Sequence, residues 1–285
     1  GSHFGFHPDV PHNALFHGAD VVISSTHKLA GSLSQSAMLH LGSGEFTELL
    51  EPLLDRAFHA LQSTSVNSLL LASLDIARKT MSIHGKEYIT HSLHAMQHLR
   101  QDIAHRGRYA DDGPALMQHD DVVALDPLRI AINMQSGGIS GYEAKAILFE
   151  QYQIHCELAT GNTLLLLCGA GVTPNVEAIS NALHELPQTN SAGEIGLDLP
   201  EPGETQMTAR AAYFSDTEIV AANNAVGRIS ADSLAAYPPG IPNLLPGEVI
   251  TKETIDFLVA TANAPFGHVR GGAAEDMSAF RVVKS

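Results

Sequence analysis

Lys28 ends an apolar run, Ala19-Asp-Val-Val-Ile-Ser-Ser-Thr-His-Lys28, with His27 directly before it and Ser25 two residues earlier. An amine delivered by a buried strand can capture an aldehyde as a Schiff base, while a hydroxyl and an imidazole beside it hold a phosphate. The same residues also fit a solvated lysine that happens to follow a strand. Two groups of histidines raise metal chemistry. His3, His7, His12 and His17 have no compact ligand spacing. His91, His94, His98 and His105 fall on one face of a predicted helix, where imidazoles three or four apart can share an ion. No cysteine or carboxylate completes that set, so it reads as a solvent-facing stripe and no metal is expected.

The elements that must position Lys28 are legible around it. Val21–Ser24 reads as a short buried strand, and Gly31–His40 leads into a second strand that closes a hairpin. Glu45–Leu61 has helical spacing, with Phe46, Leu49, Leu50, Leu53, Leu54 and Phe58 on one face. Asn67 or Ser68 can cap a further helix through Leu70, Leu74, Ala77 and Met81, which Gly85 is expected to interrupt. The next helix, about Glu87 to His105, sets Ile89, Leu93, Met96 and Ile103 opposite the histidine stripe.

A charged stretch at Arg106–Gln118 reads as a domain boundary, giving domains 1–108 and 109–285. Beyond it, Val122–Leu125 and Leu128–Asn133 are strand candidates. Ser140-Gly-Tyr-Glu143 is a capping box for a helix to about Tyr152. Ile154–Leu158 and Thr163–Cys168 read as strands around Thr160-Gly-Asn162, and Thr173-Pro174 as the start of a helix to about Leu186. Pro187–Thr208 reads as a long loop, and Ser215-Asp-Thr-Glu218 as a second capping box before a short helix. Tyr237-Pro-Pro-Gly-Ile-Pro242 is barred from helix and central strand and must turn, a device repeated at Leu244-Leu-Pro-Gly-Glu248. Thr251–Ala262 is a last helix, and Phe280–Val283 is strand-like.

Composition narrows the function classes. Thirty-one acidic against 16 basic residues give a net charge of −15, which excludes the basic footprint of a nucleic-acid binder. That balance is compatible with a cationic substrate. No apolar run reaches the ~18–20 residues of a membrane span, and no secretory signal opens the sequence. Cys156 and Cys168 lie in strand-like segments and suit a reducing compartment better than a disulfide framework. Together these features point to a cytoplasmic protein with no membrane partner.

The stretch GADVVISSTHKLAGSLSQSAMLH resembles the cofactor segment of the bacterial ornithine/lysine/arginine decarboxylases of the aspartate-aminotransferase fold. Ser25, His27 and Lys28 carry the core of the match, followed by Ser34-Gln35 and His40. His3–Pro8, Leu69-Leu-Leu-Ala-Ser-Leu-Asp75 and Tyr237–Glu248 resemble further family stretches in the same order. The resemblance implies an α/β chain: the C-terminal part of a fold-type I pyridoxal-phosphate-dependent large domain, then a small α+β domain. It implies a carboxy-lyase that converts arginine, lysine or ornithine to its amine and carbon dioxide, as in polyamine biosynthesis. The cofactor would be pyridoxal 5′-phosphate.

By the same resemblance Lys28 is the Schiff-base lysine, and Ser25 and His27 bind the cofactor phosphate. Thr64 and Ser65 would reach that phosphate from the neighbouring subunit of a homodimer or higher homo-oligomer, although the family's Thr-Ser-Pro is here Thr64-Ser65-Val66. Glu248 would lie near the distal, cationic end of a small basic amino-acid substrate. The family's aspartate that pairs with the ring nitrogen precedes the position of Gly1, so the chain reads as N-terminally truncated. Alone, it is expected to bind cofactor weakly and turn over little or not at all. The alternatives are another reaction of the same cofactor, an oxidase or aminotransferase, and a non-catalytic oligomer or regulatory subunit.

Overall fold

In a computed structural model of the chain, the apolar run before Lys28 is strand β1 (Val21–Ser24), and Lys28 itself sits in a single helical turn, α1 (Thr26–Leu29). The structure describes residues 6–190, 199–237, 240–264 and 267–284. They fall into two compact units, the described residues of 1–136 with 165–186, and those of 137–164 with 187–285.

In the first unit β1 pairs antiparallel with β2 (Met38–Leu41), Val21 opposite Leu41 and Ser24 opposite Met38, the expected hairpin. Helix α2 (Thr47–Leu61) follows the predicted apolar spacing, yet it buries no residue. Leu49, Leu53 and Phe58 are 61%, 55% and 51% exposed.

Helix α3 runs without a break from Ser68 to Arg106. Asn67 caps it by accepting the Leu69 and Leu70 N–H groups, and Gly107 ends it in the left-handed conformation that favours glycine. The expected interruption at Gly85 does not occur. A glycine inside a helix costs only about 1 kcal/mol relative to alanine, and here it makes room. A Cβ at Gly85 would stand 3.1 Å from the Phe6 Cβ. The buried stripe Ala77, Met81, Ile89, Met96, Leu99 and Ile103 faces the core, while His91, His94, His98 and His105 are exposed. A small apolar cluster of Val10, Ala30, Met81 and Ile89, with Phe6 and Leu93 against it, seats the loop before β1 on this helix.

The charged stretch after α3 is structured rather than a bare linker, with β3 (Ala110–Asp111) and α4 (Gly113–Leu116). Arg100 donates to Asp111 at 2.8 Å and to the Pro127 carbonyl at 2.8 Å. Val122–Leu125 is not a strand, and Val123 is 89% exposed. The second candidate is one, β4 (Arg129–Asn133), antiparallel to β3. The first unit therefore takes in residues on both sides of position 108, because β3 and β4 pack on α3.

Helix α5 (Gly141–Tyr152) starts at the predicted capping box, where the Ser140 hydroxyl accepts the Glu143 N–H at 3.2 Å. Of the next two strands, β5 is only Leu158–Ala159, and β6 is Thr163–Leu167. Cys156 and Cys168 lie just outside them as free, buried thiols, and burial pushes the Cys156 thiol up to about 11. Helix α6 (Val176–Glu185) is capped by Asn175 rather than started by Thr173-Pro174. Asn175 can place its carbonyl oxygen on the Ala178 N–H at 3.0 Å. In the first unit α6 is tied to α3 by Ser180 on Asp102 and by Arg106 on Asn181.

In the second unit, residues 187–190 and 199–208 have no helix or strand, and 191–198 lie outside the described residues. Helix α7 (Ala209–Phe214) ends at Ser215. The second capping box is therefore not one: Thr217–Ala221 is strand β7, its β-branched Thr217, Ile219 and Val220 favouring the extended chain. After α8 (Ala222–Ala225), β8 (Leu234–Tyr237) and β9 (Pro242–Leu244) form the turn region's two arms. Pro238 and Pro239 lie outside the described residues. Pro242 opens an edge strand, where its missing N–H is tolerated. Helix α9 (Lys252–Asn263), β10 (His268–Arg270) and β11 (Ala279–Val283) complete the chain. β11 pairs with β7, and β8 lies between β10 and β9. Leu234, Leu244, Ile250, Leu258, Phe280 and Val282 form this unit's core. Among the described residues no helix is long and apolar enough to cross a membrane.

Candidate functional site

Ser25, His27 and Lys28 come together because β1 stops at Ser24 and the chain turns at once into α1. Ser25 occupies the N-cap but makes no side-chain cap, and Thr26 and Leu29 point inward and bury. The turn's polar groups are thereby left on the outside. Lys28 is exposed, and among the described residues its Nζ has neither a hydrogen bond nor an ion pair. His27 is half-buried, and its Nδ1 lies 2.8 Å from the Ser36 carbonyl oxygen.

Ser36 belongs to a group that the sequence reading left without a role. The Ser32 and Ser36 hydroxyls are 2.5 Å apart, and Ser36 Oγ donates to the Leu33 carbonyl at 2.6 Å. Ser73 fastens this loop to α3, accepting the Leu33 N–H at 3.2 Å and donating to the Leu70 carbonyl at 2.8 Å. The Leu69–Asp75 motif thus has a local task, since its serine anchors the loop that orients His27. Within the loop Gln35 has φ 75°, the left-handed region that glycine or asparagine usually takes. Gln35→Gly is expected to leave the melting temperature unchanged or raise it. Gln35→Val should cost about 1–2 kcal/mol, measured by thermal denaturation.

The other predicted site residues lie elsewhere. Thr64 and Ser65 are exposed in the link between α2 and α3, where Ser65 N–H donates to the Ser63 hydroxyl at 3.2 Å. Among the described residues no hydrogen bond joins them to the Ser25–Lys28 turn. Glu248 belongs to the second unit. Gly247, at φ 95°, lies against the Met207 carbonyl, which a Cβ there would meet at 2.2 Å. That close approach explains the Pro-Gly-Glu turn. The Glu248 carboxylate accepts the Leu245 N–H at 2.8 Å, closing its own turn.

Two hollows in the first unit avoid the predicted residues. A cleft of about 750 Å³ is lined by His7, Thr90, His94 and Arg100 together with Met117 and Leu125. A smaller one of about 210 Å³ is lined by Ser24, Thr26, His40, Arg78 and Met81. Neither is lined by Ser25, His27 or Lys28.

The family described as Orn/Lys/Arg decarboxylase, major domain, matches residues 1–176, and its C-terminal domain matches residues 193–266. The chain belongs to the Orn/Lys/Arg decarboxylase family. The arginine decarboxylase of Bacillus anthracis is 32% identical over 290 residues, a match that takes in 100% of this chain and 58% of that protein. That of Bacillus subtilis (strain 168) is 31% identical over 293 residues, with the same coverage. The chain thus spans little more than half the length of these relatives. Among solved structures, the constitutive lysine decarboxylase of Escherichia coli superposes with a TM-score of 0.72 at 22% identity, covering 93% of this chain and 49% of that one. The lysine decarboxylase of Francisella novicida gives 0.70 at 19%, with the same coverage. At these identities the likeness speaks for the mixed α/β fold alone.

Proposed function

We propose that the protein is a pyridoxal-phosphate-dependent carboxy-lyase that converts a basic amino acid, arginine, lysine or ornithine, to the amine and carbon dioxide. The chain would supply the C-terminal part of a fold-type I large domain and the smaller α+β domain after it. One observation carries the reading: an amine and a hydroxyl without partners among the described residues share the turn after β1 with an imidazole that uses one ring nitrogen. Those groups fit the cofactor. A hydroxyl donor and an imidazole suit a phosphate, and an exposed lysine without a carboxylate partner can take up an aldehyde. The family match and the arginine decarboxylase relatives support this assignment.

Pyridoxal phosphate, when bound, supplies an aldehyde for amine exchange and a ring that accepts the electron pair left as carbon dioxide departs. The chain's own residues do the rest. Ser25 and His27 hold the phosphate. Lys28 would hold the aldehyde through its Nζ and, as a free amine, would carry the proton destined for the substrate carbon. Glu248 is assigned to the substrate's distal cation, through the carboxylate oxygen not bonded to Leu245. Thr64 and Ser65, exposed on the chain's surface, are assigned to the partner subunit's phosphate in a homodimer. The exposed apolar face of α2 favours such a dimer, since faces of this kind mark association surfaces. A cytoplasmic location fits the two buried free thiols.

Product analysis tests the reaction. The protein expressed from its complete coding sequence, supplied with pyridoxal phosphate and each basic amino acid, is expected to release carbon dioxide and amine in equal amounts. A keto acid or peroxide as the main product would replace decarboxylation by transamination or oxidation.

A further inference from the structure

The hydrogen bonds of the first unit fix the tautomers of two histidines, and fix them oppositely. A backbone N–H can only donate, so Nδ1 of His7, which receives the Asp9 N–H at 3.1 Å, carries no hydrogen. Nε2 of His7 bears it instead and donates to Thr90 Oγ1 at 3.0 Å, while Thr90 donates onward to the Lys86 carbonyl at 2.8 Å. Both ring nitrogens of His7 are therefore used, and its role is to pin the loop to α3. A carbonyl oxygen can only accept, so at His27 the reverse holds. Nδ1 carries the hydrogen and donates it to the Ser36 carbonyl at 2.8 Å. In the neutral ring Nε2 then has a lone pair and no hydrogen.

That form is mismatched to a phosphate dianion, whose oxygens only accept. We propose that a phosphate held at this turn shares one proton with His27 Nε2, so that binding takes up a proton from solvent. The inference rests on the cofactor reading above and adds a protonation requirement to it. The proton balance is the same whether the hydrogen stays on Nε2 of an imidazolium facing a dianion or on the phosphate facing a neutral ring. Either way the complex holds one proton more than a free dianion and a free neutral histidine. Ser36 enforces this because its carbonyl claims Nδ1–H, and the Ser32 and Ser73 hydroxyls keep the loop in place.

Among the described residues no hydrogen bond or ion pair from a charged side chain relieves the mismatch at His27. Lys28 is the next residue on its own turn. Arg78 of α3 and His40 of β2 line the hollow that Ser24 and Thr26 also line. Among the described residues no carboxylate forms an ion pair with His27.

Two measurements test this. In the ligand-free protein at about pH 8, ¹H–¹⁵N correlation of the His27 ring should show hydrogen on Nδ1, the atom that faces the Ser36 carbonyl. Hydrogen on Nε2 would overturn the proposal. Calorimetric titration with pyridoxamine 5′-phosphate, which has no aldehyde for Lys28, is run in buffers of different ionisation enthalpy. Uptake of about one proton is expected at about pH 8, shrinking at lower pH as the free phosphate, whose second pKa is about 6, already carries the proton. His27→Gln, whose amide donates without titrating, should keep binding and lose the uptake. Binding to the native protein with no proton taken up refutes the inference and leaves the cofactor reading standing. No binding at all by the protein expressed from its complete coding sequence refutes the cofactor reading itself.

Discussion

Lys28→Ala is expected to lower kcat for carbon dioxide release by about 10³-fold or more, with the melting temperature of the protein unchanged. The two halves of that result come from the same observation. Lys28 Nζ makes no hydrogen bond or ion pair among the described residues, so its removal leaves no group unsatisfied. An exposed substitution of this kind shifts stability by no more than about 0.5 kcal/mol. Lys28→Arg separates charge from chemistry. A guanidinium keeps the positive charge but stays protonated and cannot act as a nucleophile. The arginine variant should therefore fail as completely as alanine. Rescue by arginine would mean that Lys28 acts as a fixed charge for an anion, not as an amine.

The second large effect concerns α2. Leu53→Asp combined with Phe58→Asp is expected to turn a dimer into a monomer, with helix content unchanged, as read by sedimentation and circular dichroism. Both side chains are about half exposed on a helix that buries nothing, so their replacement removes no core contact in the chain itself. If that face is the centre of an association surface, each buried anchor contributes about 2 kcal/mol or more, roughly a 30-fold change in affinity per residue. Activity should fall with the dimer, because Thr64 and Ser65 follow the same helix. An unchanged sedimentation coefficient would move the interface elsewhere and remove the support for a shared phosphate site.

Much of the turn after β1 was legible because its signals are local. The apolar run of β1, the lysine after it and the serine and histidine spacing all lie within one stretch, and the backbone does what that stretch implies. Capping residues such as Asn67 and Ser140 were readable for the same reason, since each satisfies an N–H two or three residues away. The misses are tertiary. Gly85 looks like a helix breaker until Phe6, far off in sequence, is found against it. Ser215-Asp-Thr-Glu218 has capping spacing, but pairing of Thr217–Ala221 with Ala279–Val283 decides for strand. The Ser36 carbonyl on His27 was out of reach altogether, because a backbone acceptor leaves no mark in residue type.

That Lys28 is the amine that captures the cofactor aldehyde can be tested at the residue itself. Protein incubated with pyridoxal phosphate and reduced with borohydride carries a stable carbon–nitrogen bond wherever the aldehyde was held, and peptide mass mapping locates it. A single pyridoxyl adduct on Lys28, in the peptide that contains Ser25 and His27, is the predicted result. An adduct on Lys79 or Lys86 with Lys28 unmodified would contradict it.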